Sequence, residues 1–146
     1  MFKPPTRKSY FIESPTSDAA AVVATLLDFC SDCSLVYIDA YSSMPIHQLT
    51  DEARKAEQLL RTSISKTNSD QWQSIQVGIG DPRLWQAAAI YAPWSISADY
   101  RDSQGNFRLW VEDSGQQVGA YLTDAERDLL IVTPAVDGST LRVTAT

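Results

Sequence analysis

A chain of 146 residues has the size of one domain, and it carries twelve basic against eighteen acidic side chains, a net charge of −6. Hydrophobic residues at 44% and charged residues at 21% are ordinary for a globular protein, which excludes a disordered or fibrous chain. The acidity argues against nucleic-acid binding, which needs a cationic footprint, and no apolar run approaches the ~20 residues of a membrane span.

The chain opens MFKPPTRKSYFIESP, basic and proline-containing but with no apolar stretch behind the charges. That pattern argues against a signal peptide and predicts a cytoplasmic protein. Pro4, Pro5 and Pro15 make residues 1–16 read as an irregular arm, with a short edge strand over 10–12, ahead of a single domain over 17–146. Lys3, Arg7 and Lys8, the one basic cluster, fit that arm better than a phosphate-binding patch.

A helix is predicted over 18–30, with Ser14 or Ser17 as cap, Asp18 at its positive end, and an apolar stripe from Ala19 to Phe29. SLVYIDAY, 34–41, is apolar on both alternating sets and reads as a central strand. SSMPIHQL is a loop. Thr50 then caps a helix over 51–65, whose buried stripe is Ala53, Ala56, Leu59, Leu60 and Ile64. After a polar link, 72–79 alternates as a strand, and Asp81-Pro82 starts a helix that must stop before Pro93.

Three alternating runs follow, at 94–100, 107–112 and 117–122, joined by glycine-containing turns; they read as an antiparallel meander. Thr123 and Glu126 fit a capping box for a helix over 124–130, and the end of the chain reads as one or two strands around an Asp137-Gly138 turn. LTDEARKAEQLL and LTDAERDLL look alike, but both are explained as helix starts rather than as a duplication. The fold class is therefore α+β: helices on one face of a mainly antiparallel sheet, with a mixed sheet as the main alternative. Val36, Ile38, Ile96, Leu109, Val111 and Val118 are its expected core.

Motifs for catalysis are sparse. Cys30-x-x-Cys33 lacks the further ligands a zinc site needs, since His47 is the one histidine. It also follows a helix, whereas a redox pair sits at a helix start, where the thiolate is stabilised. The cysteines are expected to pack as small apolar residues. His47 has Ser42 and Ser43 nearby but no nucleophile elbow. VGIGDPR, 77–83, lacks the third glycine and the lysine of a phosphate loop. Acid pairs such as Asp51-Glu52 and Glu112-Asp113 fall at element ends, where carboxylates are solvated or capping. No catalytic residue, metal site or cofactor is expected.

The meander offers the one candidate surface. In phase, its outer side carries Ser95, Ser97, Asp99, Arg108, Trp110, Glu112, Gln117 and Tyr121. Aromatics inside a polar rim suit protein recognition. Asp99, Arg108, Trp110, Glu112 and Tyr121 are the expected contact residues of a protein-binding module, in character an immunity protein or antitoxin that neutralises a basic toxin or effector. It would bind neither nucleic acid nor membrane, and act as a monomer or homodimer. Two alternatives stand beside this. One is a small-ligand-binding domain or small enzyme, with Tyr37, Asp39, Tyr41, His47 and Trp94 around a pocket between sheet and helices. The other is a homo-oligomeric assembly protein joined along an open meander edge.

Overall fold

The computed structural model describes residues 6–40, 48–63 and 72–146. Tyr41, His47, Ile64 and the basic Lys3 lie outside them. The elements run β1 (Lys8–Glu13), α1 (Ala19–Phe29), β2 (Cys33–Ile38), α2 (Asp51–Thr62), β3 (Ile75–Gly78), α3 (Pro82–Tyr91), β4 (Ser97–Asp102), β5 (Phe107–Glu112), β6 (Gln117–Leu122), α4 (Asp124–Leu130) and β7 (Arg142–Ala145). The fold is α+β, with all strands antiparallel in one seven-stranded sheet, ordered β3-β2-β4-β5-β6-β1-β7. Among the described residues no strand pair is parallel, so the mixed-sheet alternative is not seen there.

Each helix start is a local hydrogen-bonding solution. Asp18, rather than Ser14 or Ser17, caps α1, accepting the Ala21 N–H at 3.2 Å. Thr50 accepts from Ala53 at 3.1 Å and Asp81 from Leu84 at 3.2 Å. At α4 both capping-box bonds form: Thr123 Oγ1 accepts the Glu126 N–H at 3.1 Å, and Glu126 accepts the Thr123 N–H at 2.9 Å.

The helices share one face of the sheet. Val22, Val23 and Leu26 of α1, Ala56 and Leu60 of α2, Ala87, Ala88 and Tyr91 of α3 and Leu130 of α4 join one buried cluster with Val36, Ile38, Ala98, Tyr100, Leu109, Val111 and Val118. Ile96, expected in this core, is only partly buried. It precedes β4, because Ala92–Trp94 form a 3-10 turn and Ser95 bonds back to the Ala92 carbonyl at 2.7 Å.

Two expectations about the sheet are corrected. Residues 8–13 are not an arm or an edge: β1 is inserted between β6 and β7, pairing Tyr10 with Ala120 and Ile12 with Val143. The meander therefore has no open edge, since β2 flanks β4 and β1 flanks β6. The sheet ends instead on β3 and β7, each only four residues long, and short edges limit strand addition.

The cysteine pair marks a corner. Cys30 closes α1 with its N–H on the Leu26 carbonyl at 2.7 Å, and the Cys33 N–H bonds the Cys30 carbonyl at 3.1 Å as β2 begins. Both thiols are buried and unpaired. Burial pushes Cys30 up to about 11 and Cys33 up to about 12, so neither is an activated thiol.

Candidate functional site

Strand register places the site. Tyr100 pairs with Leu109, but Arg101 pairs with Phe107, so β5 holds an extra residue at Arg108. A β-bulge of this kind turns side chains over locally. Phe107, which strict alternation with the core residues Leu109 and Val111 would put inside, emerges on the outer face at 45% exposure. Arg108, expected outside, turns to the helix side, where its side chain is 1% exposed.

There Arg108 is held by its own network. Its Nε donates to Asp32 at 3.1 Å, one terminal nitrogen to the Tyr121 carbonyl at 2.6 Å and the other to Glu126 at 2.8 Å. Arg7 lies against the same acids, at 3.3 Å from Asp32 and 3.9 Å from Glu126, and reaches Asp102 at 3.4 Å. Burial alone would raise the Glu126 carboxyl, but the Arg108 hydrogen bonds, the Thr123 N–H and the charges of Arg108 and Arg7 together outweigh it and hold the group below the usual range. Arg108 is thus a structural tie between β5, β6, α4 and the turn before β2, and it does not belong to a contact surface.

The other predicted contact residues do converge. Asp99 of β4 faces Trp110 of β5 across the strands, and Trp110 in turn faces Gly119 of β6. Asp99, Phe107, Trp110, Glu112 and Tyr121 bound a shallow cavity of about 170 Å³. The Trp110 and Tyr121 rings sit 5.2 Å apart, and Tyr121 and Phe107 6.2 Å apart.

The stacking continues beyond the cavity in both directions. Phe11 of β1 meets Trp110 edge-on at 6.4 Å. The Arg101 guanidinium lies 4.3 Å from the Phe107 ring centre and 4.8 Å from that of Tyr37. Tyr37, Arg101, Phe107, Tyr121, Trp110 and Phe11 therefore form one ladder crossing β2, β4, β5, β6 and β1. Among the described residues no helix covers it, because all four pack on the opposite face.

Sequence reading missed Phe11, Arg101 and Phe107, and assigned Tyr37 to a pocket wall instead of this face. Phe11 alternates out of phase with buried Tyr10 and Ile12, a usable signal, but its neighbours were unknown until β1 was seen beside β6. Nothing local marks Phe107.

The electrostatics of the face are acidic. Asp99 is half-buried, and burial pushes its carboxyl up; Arg101 offsets this in part and Asp39 adds to it. Neither the Asp99 nor the Glu112 carboxylate has a hydrogen-bond or ion-pair partner among the described residues.

Of the residues expected around a pocket between sheet and helices, Tyr41 and His47 lie outside the described residues, and Tyr37, Asp39 and Trp94 are engaged separately. Tyr37 belongs to the ladder, Asp39 accepts the Ser74 N–H at 2.7 Å, and Trp94 packs on the core. A larger cavity, of about 670 Å³, opens elsewhere, between the start of α1, the end of β1 and the β5–β6 turn. Gly115 in that turn has φ 86°, and a Cβ there would come within 2.6 Å of the Pro93 carbonyl oxygen. Glu13 and Asp18 are the charged groups in its wall, and Asp18 is already engaged as a helix cap. An exposed apolar group, Leu129, Ile131, Val132 and Val136, follows at and beyond the end of α4.

Among the described residues there is no group of His, Cys, Asp and Glu side chains that could hold a metal ion, and no helix long and apolar enough to cross a membrane. In comparison with known proteins, no family model matches this chain, no curated protein matches it, and no solved structure matches it.

Proposed function

We propose that this protein is a non-catalytic protein-binding module of the inhibitory, immunity-protein kind, which captures a basic partner on the open face of its sheet. One observation carries the reading: an aromatic ladder, with two carboxylates that have no hydrogen-bond or ion-pair partner among the described residues, lies on the sheet face that the helices leave uncovered. Large rings on a rigid sheet present apolar area with little conformational entropy to lose, and a polar rim excludes water around them. The net charge of −6 steers a cationic partner toward such a face. Two unpaired thiols suit the reducing cytoplasm as the place of action.

The test is capture of a partner from host extract, identification by mass spectrometry, and affinity measurement with both proteins purified. Trp110→Ala and Tyr121→Ala should each weaken binding at least about tenfold, as truncated hot spots do. Affinity indifferent to both, and to Phe11→Ala, would place the interface elsewhere.

A second reading, a small-ligand-binding domain, is supported by the 670 Å³ cavity, whose volume lies in the range of ligand pockets. A thermal-shift screen against metabolites tests it. A reproducible stabilisation abolished by Gln117→Trp, which would fill the cavity wall, favours this reading.

A further inference from the structure

The cavity bounded by Phe107, Trp110, Tyr121, Asp99 and Glu112 has a chemistry of its own. Three of its walls are π faces or edges, and its other two are carboxylates on neighbouring strands, with Ser97 paired to Glu112 and Asp99 to Trp110. At about 170 Å³ it is too small for a drug-sized ligand, which occupies roughly 300–1,000 Å³. It has room for the end of one side chain. We propose that this cavity is a socket for a single arginine side chain of a partner protein, stacked on the rings and hydrogen-bonded to Asp99 and Glu112. The proposal rests on the binding-module reading above and names the group that the module recognises.

Three features select arginine. Rings attract a cation placed over their faces, and attract it more strongly where water is excluded. The carboxylates add acceptors, which a planar guanidinium fork can use in parallel and a quaternary ammonium cannot use at all. The same surface already holds one guanidinium in this way, since Arg101 lies between Phe107 and Tyr37 at 4.3 and 4.8 Å. A second guanidinium on the far side of Phe107 would extend the ladder in its own pattern. Asp99 strengthens the case, because it is half-buried, has no ion-pair partner among the described residues, and would gain one from an incoming cation. Single-stranded nucleic acid also stacks on exposed rings, but its phosphates would meet Asp99 and Glu112.

The experiment is a titration of the ¹⁵N-labelled protein, followed by NMR, with the peptide Gly-Gly-Arg-Gly-Gly and its lysine and citrulline counterparts. Expected is a saturable shift of the Trp110 indole N–H and the Gly119 amide, at millimolar affinity. The lysine peptide should bind several-fold more weakly, and the citrulline peptide, isosteric but neutral, at least tenfold more weakly. Asp99→Asn combined with Glu112→Gln should weaken the arginine peptide at least fivefold with signal dispersion retained. Glu112→Gln alone, at an exposed position, gives the same reading if the double variant loses dispersion. Equal binding of the citrulline peptide, shifts spread over the acidic surface without saturation, or saturable binding of oligouridylate to the same signals would each overturn the socket. Partner capture lost in Trp110→Ala but kept in the Asn/Gln variant would overturn the socket and leave the binding face standing. Capture indifferent to Trp110→Ala, with the peptide still bound, would do the reverse.

Discussion

Trp110 of β5 lies directly over Gly119 of β6, in the space that any side chain at 119 would occupy. The two residues face each other in the strand pairing, and Gly119 is not in the left-handed region. Close approach, rather than backbone freedom, is what requires a glycine there. Gly119→Ala should displace the ring and break its contact with Tyr121. The expected outcome is a loss of about 1–3 kcal/mol in urea unfolding, as for other overpacked sites. A changed near-ultraviolet CD spectrum and weakened partner binding should accompany it. An alanine variant with parental stability and spectrum would show that the ring can rest elsewhere at no cost.

Arg108 should matter for stability far more than for recognition. Arg108→Met leaves Asp32 and Glu126 with Arg7 as their remaining cation and the Tyr121 carbonyl without its guanidinium donor, and is expected to cost about 1–3 kcal/mol, the usual effect of leaving a buried polar group unsatisfied. Arg108→Lys keeps the charge but loses the fork that reaches Glu126, Asp32 and the Tyr121 carbonyl together, so it should be milder than methionine yet still destabilising. Urea unfolding of both variants at neutral pH is the measurement. Parental stability in the methionine variant would remove the structural role.

Acid should unfold the protein through the same network. Glu126 and Asp102 titrate below their usual values: burial opposes ionisation in both, but Arg108 and the Thr123 N–H outweigh it at Glu126, and the Asn106 and Gln104 N–H groups with Arg7 outweigh it at Asp102. A carboxyl depressed on folding stabilises above its unfolded value of about 4, and that stability is lost as pH falls through the folded value. Urea midpoints should be level between about pH 7 and 5, then fall below about pH 4, with a shallower fall in Glu126→Gln. Asp99 has the opposite sign. Burial raises its carboxyl, so its charge opposes folding at neutral pH and the penalty fades as the group protonates. Asp99→Asn should therefore be more stable than the parent at neutral pH, with the difference vanishing below about pH 4. An asparagine variant less stable than the parent at neutral pH would contradict this.

The cysteines should behave as core. With thiols pushed up to about 11 and 12, both should resist a disulfide reagent at neutral pH in the folded state and react at once in urea. Cys30→Ser with Cys33→Ser should lower stability by about 1–3 kcal/mol per buried hydroxyl left without a partner. Partner affinity at a temperature where the variant is folded should be unchanged. Rapid labelling of the native protein, or lost affinity without lost stability, would reopen a chemical role.

How much of this was legible beforehand follows the range of the physics involved. Asp18, Thr50, Asp81 and Thr123 each start a helix through a bond to an N–H three residues on. Such bonds are local, so sequence alone located the helices, although it assigned the first cap to Ser14 or Ser17 instead of Asp18. The period-two runs in β5 and β6 likewise marked strands at their observed bounds, and the face bearing Asp99, Trp110, Glu112 and Tyr121 followed from their phase.

Only the tertiary structure decided the rest. A bulge exists only relative to the strand it pairs with, and the step between Tyr100 and Arg101 on β4 is what sends Phe107 out and Arg108 in. The position of β1 depends on pairing with β6 and β7, from the other end of the chain, which no local pattern encodes. Sequence by itself determined which segments are helices and strands, because their signals act within a few residues. Tertiary structure decided which side chains meet, because the ladder joins rings whose proximity is set by strand order and one extra residue in β5.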